Sequence, residues 1–148
     1  MHNQEVKVKI INTSNLPNPE YATEGAAGMD IKAHIEEPIV LKSLQRKAVP
    51  TGIFVEIPHG FEIQIRPRSG MALNHGITCL NSPGTIDSDY RGEIKVILAN
   101  LSDADYTIQN GDRIAQMVLA SVEKLTWENV SEINESNRGS GGFGHTGK

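Results

Sequence analysis

The stretch GTIDSDYRGEI, residues 84–94, places two carboxylates and a tyrosine between a glycine turn and an alternating apolar segment. An aspartate such as Asp87 can accept a proton and orient a water molecule, which is the work of a general base. The same residue also fits a turn-capping role, because Asp side chains bond to nearby backbone amides in turns. The stretch is therefore either a polar corner or a place where a water molecule meets a substrate.

A second candidate lies in IRPRSG, residues 65–70, which leads into the segment SGMALNHG. Ser69 as an N-cap and Gly76 as a stop predict a short helix of about two turns over 69–76. Because free backbone N–H groups gather at a helix start, Arg66, Arg68 and Ser69 form a candidate anion site. The plainer interpretation is a capped helix with solvated arginines, and spacing alone favours it.

The metal-ligating residue types show no transition-metal pattern. The five histidines have no zinc spacing, and Cys79 is the single cysteine. Carboxylates such as Asp30, Asp87 and Asp89 suit instead a hydrated magnesium ion carried in by a phosphate ligand. For Asp30 alone, a solvent-facing strand residue is the simpler interpretation. One cysteine also excludes an intrachain disulfide and favours a reducing, cytoplasmic compartment.

The elements that must position these residues read as short β-strands. Period-two alternation occurs at 6–10, 29–36 and 61–66, and turn residues separate the runs. This pattern predicts one all-β domain built as a sandwich, jelly roll or small barrel. The net charge of -4 argues against a nucleic-acid partner, and the absence of a long apolar run argues against a membrane partner.

The C-terminal segment 131–148 differs in composition from the rest, with five glycines between Gly139 and Gly147. Such a segment predicts a disordered terminus, so the domain is assigned to 1–130 and the tail to 131–148. Its Arg138, Ser140 and Phe143 are nevertheless suited to holding a charged, aromatic ligand.

Five segments occur along the chain in one order: GAAGMDIKA (25–33), RPRSGMAL (66–73), GTIDSDYRGEI (84–94), NGDRIAQMV (110–118) and RGSGGFGHTG (138–147). Together they resemble the five motifs of the homotrimeric dUTPases. The resemblance implies an all-β distorted jelly roll, or β-barrel, with one short helix and a flexible C-terminal tail that acts as an active-site lid. It further implies trimers whose active sites are shared between subunits.

The resemblance also implies the reaction. The substrate would be dUTP, and the products dUMP and pyrophosphate, formed by magnesium-assisted attack of water on the α-phosphorus. Such an enzyme limits uracil incorporation into DNA and supplies dUMP for dTMP synthesis. The cofactor implied is Mg²⁺, which the substrate phosphates would hold and Asp30 would contact through water.

The remaining roles implied by the resemblance concern the nucleoside and the phosphates. Asp87 would be the general base, and Tyr90 would pack on the deoxyribose and exclude a 2′-hydroxyl. The uracil would be read by Asn81 and the hairpin residues Gly84, Thr85 and Ile86, with a backbone contribution near the base from Lys95.

On the phosphate side, Arg68, Ser69 and Gly70 would bind oxygens, and Gln116 would position a water molecule or a phosphate. Asp112 and Arg113 would form a supporting internal ion pair. In the tail, Arg138 and Ser140 would grip the γ-phosphate, glycine amides such as that of Gly144 would wrap the anion, and Phe143 would stack on the uracil.

Two alternatives remain. A dCTP deaminase of the same fold usually carries Gly-Phe where this chain has Asp89 and Tyr90. A catalytically silent jelly-roll binding module would need neither an intact Asp87 nor an intact tail. Pyrophosphate and ammonia release from dUTP and dCTP separates the three.

Overall fold

A computed structural model describes residues 5–147 of the chain. Two four-stranded antiparallel sheets, a two-stranded sheet and one short helix make up the described fold. The elements are β1 (Lys9–Asn12), β2 (Met29–Lys32), β3 (Ile39–Leu41), β4 (Arg46–Glu56), β5 (Phe61–Arg66), α1 (Ser69–His75), β6 (Ile77–Cys79), β7 (Gly84–Ile86), β8 (Glu93–Asn100), β9 (Tyr106–Ile108) and β10 (Arg113–Ser121). This arrangement confirms the predicted all-β fold with one short helix.

The sheets are ordered β1-β4-β8-β6, β2-β10-β5-β7 and β3-β9. Side chains alternate between the faces of a strand, so β8 turns Ile94, Val96 and Leu98 inward, and each is at most 1% exposed. From the second sheet, Ile63 and Ile65 of β5 join the same core cluster. The core therefore lies between the two larger sheets, and the edges and strand ends are left to carry polar residues.

The predicted strands agree with the structure to different degrees. The run at 61–66 coincides with β5, whereas the run at 29–36 forms a hydrogen-bonded strand only from Met29 to Lys32. The ladder stops because Ala33 N donates to Asp112 O at 2.8 Å and His34 N donates to Pro50 O at 2.9 Å. The chain thereby leaves β10 and crosses toward β4. The run at 6–10 is displaced, since β1 begins only at Lys9.

A bulge interrupts the pairing of β4 with β8 between Pro50 and Phe54. Gly52 lies within it at a φ of +71°, a conformation that side chains with a Cβ rarely adopt. The bulge is satisfied by side chains: Thr51 Oγ1 donates to Ile94 O at 2.6 Å, and Gly52 N donates to Glu93 Oε2 at 2.8 Å. The start of β8 is thus fixed to β4 by two side-chain hydrogen bonds in addition to the backbone pairing of the strands.

The helix α1 follows the sequence prediction at its end but not at its beginning. Gly76 closes it in the left-handed conformation, with φ of 66°, as predicted. The N-cap is Arg68 rather than Ser69, and no side chain caps the helix. The assignment of Ser69 as the cap is wrong because the extended backbone conformation belongs to Arg68, with φ -90° and ψ 133°.

Beyond Ser121 the described chain has neither helix nor strand, as expected from the glycine-rich composition of its last part. No helix within residues 5–147 has the length and apolar character needed to span a bilayer.

Candidate active site

Three of the five motif segments meet in one row across the second sheet. Gln116 of β10 pairs directly with Asp30 of β2 on one side and with Arg66 of β5 on the other. Asp30 and Gln116 are both partly buried, and Arg66 is exposed. Segments far apart in sequence therefore present a carboxylate, an amide and a guanidinium side by side, a combination suited to holding an oxyanion and its counterion.

Asp30 lies between two guanidinium groups. Arg68 Nε donates to Asp30 Oδ1 at 3.1 Å, and Arg113 Nη1 lies 3.6 Å from Asp30 Oδ2. Arg68 Nη1 also donates to the carbonyl oxygen of Arg113 at 3.2 Å. The carboxylate thus orients a guanidinium fork whose remaining donors are free to bind an anion. We refer to Asp30, Arg68 and Arg113 as the arginine clamp.

The clamp corrects one sequence expectation. Arg113 pairs with Asp30 and not with its neighbour Asp112, whose Oδ2 accepts a hydrogen bond from Gln109 N at 2.8 Å. Asp112 belongs to the turn that precedes β10, whereas Arg113 is the first residue of the strand. The two side chains therefore have different partners: Asp112 bonds within the turn, and Arg113 pairs across the sheet.

Gln116 and the start of α1 complete this cluster. Gln116 Nε2 donates to Pro67 O at 3.2 Å, which ties β10 to the loop that carries Arg68. Beneath the amide lies Gly28, where a Cβ would stand 3.0 Å from Gln116 Oε1. Ser69 and Gly70 are exposed at the helix start, and a Cβ built on Gly70 would meet no atom within 4 Å. This surface is open to a ligand.

The hairpin that the resemblance assigns to uracil lies on the other side of β5. Gly84 pairs with Ile65, Thr85 with Gln64, and Ile86 with Ile63. A Cβ on Gly84 would stand 3.4 Å from Asn81 Nδ2, so the Asn81 amide lies beside the hairpin backbone. Lys95, by contrast, is exposed on β8 opposite Pro50.

Asp87 and Tyr90 occupy the two ends of one tight turn. Tyr90 N donates to Asp87 O at 3.1 Å, and both side chains are exposed, Tyr90 by 43%. The phenol hydroxyl of Tyr90 donates to Glu93 O at 2.8 Å. The backbone bond thus closes the turn, and the side-chain bond fixes the ring toward Glu93, while Asp87 and Tyr90 both remain exposed to a ligand.

The two clusters lie at opposite ends of the β5–β7 pair. Asp87 follows Ile86, which pairs with Ile63, so Asp87 is level with Glu62. Arg66 is four residues further along β5, about 13 Å at roughly 3.3 Å per residue. The Arg68 guanidinium is directed toward Asp30, not back along the strand. Within a single chain, the arginine clamp and Asp87 therefore lie at different levels along β5.

The tail residues Arg138, Ser140, Phe143 and Gly144 are all exposed. Their hydrogen bonds remain within the tail, as when Arg138 Nε donates to Gly141 O at 2.8 Å. Phe143 is fully exposed, and it has a positive φ of 51°. The hydrogen bonds given for these four residues do not tie the tail to either cluster of its own chain.

The part of the chain that the structure describes offers neither a reactive thiol nor a protein-built metal centre. Burial raises the pKa of the Cys79 thiol to about 11, and the residue is only 2% exposed, so the thiolate is disfavoured. Within residues 5–147, no group of three or more His, Cys, Asp or Glu side chains is placed to hold a metal ion. Such a donor set fits an ion ligated chiefly by phosphate oxygens and water.

Comparison with known proteins decides the family. The dUTPase family model matches residues 13–147. The chain belongs to the dUTPase family. It is 56% identical over 145 residues to the deoxyuridine 5′-triphosphate nucleotidohydrolase of Fusobacterium nucleatum, covering 98% of this chain and 99% of the relative. The protein of the same name from Cytophaga hutchinsonii is 59% identical over 146 residues, covering 99% and 95% of the two chains.

Solved structures share the fold. A mutant dUTPase of Staphylococcus bacteriophage 80alpha with dUpNHpp superposes with a TM-score of 0.86 at 24% identity, covering 96% of this chain and 99% of the other. A mutant dUTPase from phage phi11 of S. aureus, described with a coordinated structural Mg(II) ion, gives a TM-score of 0.77 at 22% identity and covers 87% and 99%. At these identities the likeness establishes the fold.

The structure adds residues that sequence reasoning did not single out. Gly92 and Glu93 contact Tyr90, and Gly52 fixes Glu93. The glycine two positions after the tyrosine is visible in YRGE, but nothing in the sequence places the ring over it.

Proposed function

We propose that this chain is a dUTP diphosphatase, which hydrolyses dUTP to dUMP and pyrophosphate. The observation that carries the proposal is the exposed turn from Asp87 to Tyr90 in a chain of the dUTPase family. The Asp87 carboxylate at one end of the turn is open to water, and the Tyr90 ring at the other end is open to a sugar. We also propose that the protein works in the cytoplasm, in keeping with its single, buried cysteine.

In the proposed mechanism, Asp87 accepts a proton from the water molecule that attacks the α-phosphorus. The water oxygen forms a bond to phosphorus, the bond from phosphorus to the bridging oxygen breaks, and pyrophosphate leaves with that oxygen. Tyr90 packs on the deoxyribose, while Asn81 and the backbone of Gly84, Thr85 and Ile86 bond to the uracil edge. A cytosine would leave those bonds unpaired, so the site would reject it.

The arginine clamp binds the triphosphate. Asp30 holds the Arg68 fork in place, and Ser69 and Gly70 offer exposed polar groups beside it. Gln116, anchored on Pro67 O, positions a phosphate oxygen or a water molecule. Because the guanidiniums are oriented before the substrate arrives, less ordering is needed on binding.

The dUTPase family is magnesium-dependent. In this chain the substrate phosphates would hold the ion, and Asp30 would contact it through water. Bound Mg²⁺ would supply positive charge to offset that of the phosphates and of the pyrophosphate as it leaves. Both Asp30 oxygens face guanidiniums, which is consistent with an indirect contact and not with direct ligation.

We further propose a homotrimer in which each active site combines residues of different subunits. The separation of about 13 Å along β5 supports this arrangement, since a general base must come within one water molecule of its target. Asp87 of one subunit would then face the arginine clamp of another. The tail would supply Arg138, Ser140, Phe143 and Gly144 to a site that is not its own and close over the bound nucleotide as a lid.

The test is product analysis with purified protein, magnesium and either dUTP or dCTP. The proposal predicts one pyrophosphate per dUTP, no ammonia, and little reaction with dCTP. Ammonia from dCTP would establish the deaminase alternative instead. Binding of dUTP with neither product would establish the silent module.

A further inference from the structure

The Tyr90 ring lies against Gly92, a residue without a side chain two positions further along the chain. A Cβ built on Gly92 would stand 2.6 Å from Tyr90 Cζ and 2.9 Å from Cε1, and still closer to the hydroxyl oxygen. The hydroxyl reaches past Gly92 to donate to Glu93 O at 2.8 Å. The ring therefore occupies the space that any other residue at position 92 would fill.

The carbonyl group that anchors the ring is itself fixed. The Glu93 carboxylate accepts a hydrogen bond from Gly52 N in the β4 bulge, and the next carbonyl, of Ile94, accepts one from Thr51 Oγ1. The bulge is held from its other side as well, because Thr13 N donates to Gly52 O at 2.8 Å and Thr13 Oγ1 donates to the same oxygen at 3.0 Å. The position of the Tyr90 hydroxyl is thus fixed by contacts with the sheet and not by its own loop alone.

We propose that Gly92 is a specificity-determining positioning residue, whose missing side chain sets the Tyr90 ring at the depth that admits deoxyribose and excludes ribose. The inference rests on the proposed function, in which Tyr90 packs on the sugar. To restore ordinary contact with a Cβ at position 92, Cζ must retreat from 2.6 Å to at least 3.4 Å, a shift of about 0.8 Å. The hydrogen bond to Glu93 O would stretch or break with it.

The first measurement compares kcat/KM for dUTP and UTP in the wild type and in Gly92→Ala. A displacement near 1 Å in a positioned group costs up to about a hundredfold, so we expect the dUTP value to fall about tenfold or more and the UTP/dUTP ratio to change at least about threefold. Gly25→Ala is the matched control, since a Cβ there meets no atom within 4 Å. An unchanged ratio in Gly92→Ala would overturn the inference.

A double-mutant cycle with Tyr90→Ala separates positioning from a general structural effect. Without the ring, Gly92→Ala has nothing to displace, so its cost in the Tyr90→Ala background should fall below about twofold. Equal costs in both backgrounds would overturn the inference and leave the proposed function standing. A Tyr90→Ala protein with the wild-type UTP/dUTP ratio would instead refute the sugar-packing role itself, and the inference with it.

Folding is monitored by thermal unfolding of each variant. If Gly92→Ala alone does not fold, the double variant should fold, because removing the ring removes the collision. A double variant that also fails to fold would show that Gly92 is needed for the backbone conformation and not for the position of the ring, and it would overturn the inference.

Discussion

Two inactive chains should rebuild an active enzyme when they assemble together. One chain carries Asp87→Asn and lacks the general base, and the other ends at Ser136 and lacks the tail. In the shared-site arrangement, base and tail at any one site come from different subunits. A trimer that contains both chains can therefore hold a site in which both parts are intact.

The structure and the assembly statistics together set the magnitude. In one chain, Asp87 is level with Glu62 on β5, about 13 Å along the strand from Arg66. The tail bonds only to itself, as in the contact of Arg138 with Gly141 O. With equal amounts of the two chains, about three-quarters of trimers are hybrid, and each hybrid has one complete site in three. If the sites act independently, activity should recover to about a quarter of the wild-type value in the unfractionated mixture and to about a third in the purified hybrids.

The assay is pyrophosphate release from dUTP by hybrids isolated with two different affinity tags. Each homotrimer alone supplies the baseline, and mixing the two preformed homotrimers without exchange is the control. Base and tail acting within one chain would leave no complete site in any mixture. Hybrids of verified composition that remain at the baseline would therefore refute the shared site.

Three further predictions address the clamp, the thiol and the core. Arg68→Lys keeps the charge but loses the planar guanidinium that bonds to both Asp30 and the Arg113 carbonyl. The kcat/KM for dUTP should therefore fall about tenfold or more. Steady-state kinetics that show no loss would contradict the role of the clamp. Burial raises the Cys79 pKa from 9.0 to about 11, so the folded state favours the thiol. The unfolding free energy of the wild type relative to Cys79→Ala should therefore be constant below about pH 9 and fall as the pH rises to about 11. Denaturant titrations in which this difference does not change with pH would contradict the prediction. Ile94→Ala should cost about 2–5 kcal/mol of unfolding free energy, whereas Ile11→Ala, at a site 65% exposed, should cost less than about 0.5 kcal/mol; similar costs would contradict the core assignment.

Local patterns in the sequence predicted the parts of the fold that local physics determines. The strict alternation of 61–66 coincides with β5, and Gly76 ends α1 in the left-handed conformation. The Ser69 cap failed because a cap depends on which residue takes the extended conformation, and Arg68 takes it. Residue type favours serine over arginine as an N-cap, but here the backbone conformation places the cap at Arg68, and residue type does not reveal that conformation.

The arrangement of the candidate site depends on long-range register, which no local pattern encodes. Asp112 and Arg113 adjoin in sequence, yet Arg113 pairs with Asp30 across the sheet. The resemblance supplied the names of the site residues, such as Asp87 and Gln116, whereas their separation into two clusters follows from the pairing of β5 with β7 and β10.

The contact of Tyr90 with Gly92 was equally inaccessible from sequence. It arises because the ring extends over Gly92 to reach the carbonyl of Glu93, a residue whose side chain is bonded to the β4 bulge. A pattern of residue types records the glycine but not the direction of the ring.

The most direct test of the central claim is single-turnover pyrophosphate release from dUTP by Asp87→Asn, measured beside the binding of a non-hydrolysable dUTP analogue. The substitution keeps the size of the side chain and removes its capacity to accept a proton. The account predicts at least about a hundredfold loss in the rate of the chemical step, with analogue affinity within about threefold of the wild type. A variant that retains more than about a tenth of the wild-type rate would show that Asp87 is not the general base.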